Sequence, residues 1–131
     1  MHRVLYIGRW TVDFLFEVYN YDIDEVLSYL KKAGASQKIT SQAYALMREG
    51  NPNTGFTYTD ARNMYALVVT GPVDSGEEFI DTLVHEIHHL AVAIAANLGV
   101  DLEGETPAYL SGDAARELAS VICELGCHCT E

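Results

Sequence analysis

Apolar and polar positions are arranged along the chain in two periods, and these divide it into strands and helices. Residues 3–7 and 12–19 are rich in β-branched and aromatic side chains and read as strands. Asp22 can cap a helix through about Ala33, with Val26, Leu27 and Leu30 on one face. Ser36 or Thr40 opens another helix, which carries Ile39, Ala43, Leu46 and Met47 and ends at Gly50. Residues 51–55 form a loop of turn-favouring types. Residues 56–59 and 64–70 follow as strands joined by a short polar turn at 60–63, which makes a hairpin.

The clearest helix comes next. Ser75 and Glu78 have the spacing of a capping box, Glu77 and Glu78 suit the positive end of the helix dipole, and Gly99 supplies a stop. Between them Ile80, Leu83, Val84, Ile87, Ala91, Ile94 and Leu98 recur at spacings of three and four and predict an apolar face. A last helix is predicted over residues 105–125, with Leu110, Ala114, Leu118, Val121 and Ile122 turned inward and Cys123 packed on the same pattern. Together these elements predict a single α+β domain over residues 1–131: a small antiparallel or mixed sheet packed on the helix after Ser75, with additional helices.

Within that helix, residues 85–89 fit the pattern H-E-x-x-H through His85, Glu86 and His89. Positions four apart on a helix lie one turn above each other, so the two imidazoles can converge on one metal ion, with Glu86 beside them. Zinc lowers the pKa of its water toward about 7, and a neighbouring carboxylate can take the proton as that water attacks. His85 and His89 fall at the margin of the apolar face, where a ligand can reach them. His88, three residues from His85, can compete as a ligand, but Glu86 has a role only if His85 and His89 are the pair.

Two histidines leave a catalytic zinc site one protein ligand short. Glu103 and Glu105 stand where the last helix begins, and both are within reach. The helix rises roughly 13 Å from His89 to residue 98, and the connection to Glu105 can span at most roughly 23 to 25 Å. Asp101 has much less chain with which to return. Glu105 falls in the first helical turn, where a carboxylate is held rigidly. Tyr109 lies one turn beyond and can donate to an oxyanion or simply pack in the core, and Asp113, a turn further, can orient a ligand histidine or face solvent.

In these residues the chain resembles the zincin metallopeptidases, and more narrowly the gluzincins, in which H-E-x-x-H is completed by a downstream glutamate. The resemblance covers about residues 75–115 and rests on His85, Glu86, His89 and the run Glu105, Ala108, Tyr109. It is similar especially to the small single-domain zincins associated with phages and other mobile elements. The resemblance implies His85, His89 and Glu105 as zinc ligands, Glu86 as general base, and a peptide or protein substrate. It also implies that an edge strand above the active-site helix receives the substrate by strand addition, a role that falls to residues 65–69. Two departures stand out: the interval from His89 to Glu105 is short, and no second lobe is available to build a deep cleft.

Composition narrows the reading further. The chain of 131 residues is enough for one core, with 49% apolar and 21% charged residues. Eight basic against nineteen acidic residues give a net charge of −11, which argues against nucleic acid or an anionic membrane as partner. The N-terminal residues lack the apolar region of a secretory signal, and no run is expected to be long and apolar enough to span a bilayer. Three cysteines in the last nine residues do not make a disulfide framework and fit reduced thiols in a cytoplasmic protein. Cys127, His128 and Cys129 are adjacent rather than spaced as ligands, which fits the end of a chain better than a metal site. The expected function is a zinc-dependent peptide hydrolase; the alternative is a non-catalytic zinc-binding interaction module on the same scaffold.

Overall fold

In the computed structural model, which describes residues 1–126, four strands and four main helices form three layers. The strands are β1 (His2–Ile7), β2 (Trp10–Leu15), β3 (Gly55–Asp60) and β4 (Tyr65–Thr70). They lie in the order β1-β2-β4-β3, with β2 and β4 parallel and the outer pairs antiparallel. The fold is therefore α+β with a mixed sheet. The central strands β2 and β4 are covered on both faces, which is why their sequences run apolar with little alternation. Val12, Phe14, Ala66 and Val68 belong to one core cluster, and Leu15, Leu67 and Val69 to the other.

Helices α1 (Ile23–Lys32) and α2 (Gln37–Glu49) cover one face, with Val26, Leu30, Ala43 and Met47 buried there. Of the two candidate openings for α2, Ser36 is the one used: its hydroxyl accepts from the Ile39 amide at 3.2 Å, and Gly50 closes the helix at φ +65°. Asp22 behaves differently from expectation. Its carboxylate turns back to accept from the Tyr19 amide at 3.0 Å, closing a 3-10 turn before α1 instead of capping α1 itself. The strand predicted over residues 12–19 stops at Leu15 because Glu17 adopts φ +54°, outside any strand conformation.

The opposite face carries α3 (Gly76–Leu98) and α4 (Glu105–Glu117). Ser75 caps α3 by accepting from the Glu78 amide at 3.1 Å, and Gly99 ends it at φ +72°. Leu83, Ile87, Ala91 and Ile94 are buried as the periodicity predicts, whereas Ile80, Val84 and Leu98 are exposed; Phe79 and Leu90 take their places in the core. Near the end of α3, Asn97 accepts from the Trp10 indole at 3.2 Å and donates to the Ala61 carbonyl at 3.4 Å, pinning the helix along the sheet.

Among the described residues α3 is the one helix long and apolar enough to cross a bilayer, at 23 residues and a mean hydropathy of 1.2 over its richest stretch. That corrects the expectation that no run reaches this level. Half of the stretch is buried inside the fold.

The last helix is shorter than residues 105–125. It breaks at Leu118, where φ is −96° and ψ 12°, and continues as a single turn at Ala119–Val121 and a π turn at Ile122–Gly126. The break leaves Leu118, Val121 and Leu125 in the core and brings the Gly126 carbonyl so close to Gly76 that a Cβ there would not fit. Cys123 is exposed rather than packed. The Cys127, His128 and Cys129 segment lies outside the described residues.

Candidate active site

The flank of α3 that faces β3 holds the motif. Thr82 and Glu86 are buried against β3, while His85 and His89, slightly further round the helix, are open to solvent. One helical turn brings the two rings to 4.8 Å between centroids and their Nε2 atoms to 3.2 Å. At that distance one neutral ring can donate its N–H to the bare nitrogen of the other. The same separation suits a shared ion: two nitrogens held tetrahedrally at about 2.0–2.1 Å from zinc stand roughly 3.3–3.4 Å apart. The imidazole pair thus fits zinc in donor type and in spacing.

Glu86 is fixed from across the gap. The Thr57 hydroxyl, on β3, donates to Glu86 Oε1 at 2.8 Å and lies 3.3 Å from the Glu86 main-chain oxygen. A charge-assisted hydrogen bond of this length restrains the carboxylate more firmly than a neutral one would. No lysine or arginine pairs with Glu86 among the described residues. Glu86 nonetheless lines two clefts that meet at His85, Glu86 and Gly55. One, of about 410 Å³, runs past Thr57, Thr59 and His89; the other, of about 290 Å³, runs toward Asn53, Thr54, Asp81 and Leu46.

Gly55 sets how closely the strand can approach. A Cβ at this position would stand 2.7 Å from the Val69 carbonyl oxygen and 3.2 Å from Glu86 Cγ. Bare backbone is therefore needed for β3 to lie at once against β4 and against α3. Neither Thr57 nor Gly55 was singled out from the sequence. The signal was present in the alternation Phe56, Thr57, Tyr58, Thr59, which places two small hydroxyl side chains on one face of the strand.

The remaining candidates lie elsewhere. Among the described residues no third His, Cys, Asp or Glu joins His85 and His89 in a group that could hold a metal ion. The sheet order explains this for α4: it packs on α3 and on β1, at one end of the sheet, whereas the motif faces β3 at the other end. Glu103 and Glu105 are exposed on that far side, and Tyr109 is exposed there too, 69% accessible and lining neither cleft. Asp113 pairs with Arg116 at 3.2 Å on the surface. The ring of His88 stands 6.1 Å from that of His89 and does not line the clefts.

The strand assignment also changes. Residues 65–69 belong to β4, which is paired on both sides, by β2 and β3, and has no edge to offer. The strand at the edge beside the motif is β3. Comparison of the chain with protein-family models, with curated proteins and with solved structures returns no match.

Proposed function

We propose that the protein is a zinc-dependent hydrolase of peptide bonds, with His85 and His89 as ligands and Glu86 as general base. The observation that carries this reading is the juxtaposition of a 3.2 Å imidazole pair with a buried, oriented carboxylate at the floor of an open groove. When bound, the ion would supply an acidified water and polarise the substrate carbonyl. Glu86 takes a proton from the attacking water and returns it to the leaving amine. Thr57 holds the carboxylate through Oε1 during both transfers, and β3 offers a free edge for the main chain of an extended substrate.

Glu105 enters this proposal only as a ligand that metal binding would have to recruit from the far side of α3. The alternative reading is a zinc-binding interaction module without turnover; both readings need further ligands, since among the described residues no third side chain stands at the pair. A structural site is closed by a fourth side chain, and the nearest candidate, His88, is held apart from the pair. A reducing, cytoplasmic setting is part of the proposal and agrees with the free thiol of Cys123.

Metal content and turnover test the two readings together. Wild type purified without added metal is expected to carry about one zinc per chain and to cut members of a mixed peptide library. Glu86→Gln is expected to keep the zinc and lose the cutting. A Glu86→Gln protein as active as wild type would rule out the mechanism, and zinc without cutting in wild type would favour the interaction module.

A further inference from the structure

Among the described residues the outer edge of β3 is unpaired, and besides the cleft that runs toward Asn53 the strand borders one cleft on each face of the sheet. Toward α3, Thr57 and Thr59 face the groove with His85, Glu86 and His89. Toward α2, Phe56 and Tyr58 pack with the other core cluster and border a second cleft, of about 440 Å³, whose far wall is Ile39, Gln42, Ala43 and Leu46. Only the thickness of one strand separates the two, since Phe56, Thr57 and Thr59 contribute to both.

A strand added to this edge must send successive side chains to opposite faces. Resting on the reading of the first groove as a peptide-hydrolase site, we propose that the cleft between α2 and β3 is a side-chain subsite that selects aliphatic or aromatic residues. A substrate residue lying over His85 and Glu86 then has its immediate neighbour in this second cleft. The lining favours that class: aliphatic and aromatic side chains make most of the wall, and among the described residues no Lys, Arg, Asp or Glu contributes to it. A charged side chain entering there would lose water without gaining a partner. Specificity thus comes from the face of the sheet opposite the chemistry, while main-chain pairing with β3 sets the register between the two.

The test uses the full chain with zinc. An array of extended peptides, each position varied through all side chains, is bound to Glu86→Gln and offered to wild type for cleavage. Bound and cut peptides are expected to demand an apolar residue at one position, by about tenfold or more over Lys or Asp, and to tolerate most residues at the two flanking positions. Ile39→Trp, which fills the cleft, is expected to turn that demand toward Gly and Ala. Gln42 is exposed, so Gln42→Lys leaves the core alone and is expected to draw Asp or Glu to the same position. Binding and cleavage with no positional apolar demand, or a demand that neither variant alters, overturns the subsite and leaves the hydrolase standing. Peptides neither held by Glu86→Gln nor cut by zinc-loaded wild type overturn both.

Discussion

Asp13 in β2 and Glu86 in α3 are both nearly sealed from solvent, 9% and 4% exposed, and each accepts a hydrogen bond from a hydroxyl on a neighbouring strand. Tyr65 reaches Asp13 Oδ2 at 2.7 Å, and Thr57 reaches Glu86 Oε1 at 2.8 Å. They differ in what is left over. His2 occupies the other Asp13 oxygen at 2.7 Å, so the carboxylate ties β1, β2 and β4 together with both oxygens engaged. Among the described residues Thr57 is the one side chain bonded to Glu86, and the groove beside it holds two imidazoles. A saturated buried carboxylate is a structural tie; one bonded through a single oxygen beside a cleft can exchange a proton.

The largest expected effect separates these roles by assay. Glu86→Gln is expected to lower peptide turnover by about 10²- to 10⁴-fold with zinc content and urea midpoint unchanged. Asp13→Asn is expected to do the reverse, costing about 1 to 3 kcal/mol of stability while turnover per folded molecule holds. Loss of turnover in a fully folded Asp13→Asn protein would collapse the distinction.

A smaller effect is expected at Thr57. Replacing it with valine keeps the shape and frees the carboxylate, which should cut turnover roughly tenfold, about 1.4 kcal/mol, and Thr57→Ser should restore most of it. Equal rates for the valine and serine variants would remove Thr57 from the site.

Alkaline unfolding sharpens the other half of the comparison. Burial, and then the hydrogen bond to Asp13 and its charge, raise the Tyr65 phenol above the ordinary value of 10.0. The folded state therefore holds this proton more tightly than the unfolded chain. Its contribution is complete below about pH 10 and is lost as the pH rises from there toward the folded-state value. Stability measured against pH should fall less steeply above about pH 10 in Tyr65→Phe than in wild type; identical slopes would contradict the network.

The smallest change is expected at Glu105. With α4 over β1, Glu105→Ala should alter zinc affinity by less than about threefold, against near-complete loss in His89→Ala. A loss in Glu105→Ala as large as in His89→Ala would show that the first turn of α4 leaves its position to reach the imidazole pair.

What could be read in the sequence depends on how local each signal is. Ser75, Gly99 and the three-and-four spacing fixed α3 almost to the residue, because cap, stop and periodicity all lie within the segment they describe. His85 beside His89 follows from one helical turn alone. Strand order is a property of distant pairings, so nothing within residues 65–69 reveals that β2 covers the side of β4 that strand addition would need. Glu105 failed to join the histidines for the same reason: chain length permits the return, and only the placement of α4 over β1 prevents it. The alternation around Thr57 shows which face of the strand it shares with Thr59 but not its role, which depends on a partner 29 residues away. The break at Leu118 interrupts a continuous helical pattern, and the packing of Gly126 on Gly76 that follows it joins distant segments, which periodicity does not show.

Helix α3 combines enough length and apolarity for a bilayer with a place against one face of the sheet, where half of that stretch is buried, and the order of the chain bears on how it arrives there. All four strands end by Thr70, six residues before α3 begins. During synthesis the whole sheet leaves the ribosome ahead of the helix, so a landing surface for Phe79, Leu83, Leu90 and Ile94 can exist before those side chains meet water or lipid. A circular permutant opening at Ser75 would reverse that order, and its soluble yield relative to the natural arrangement would measure how much the sequence of events protects an apolar core helix.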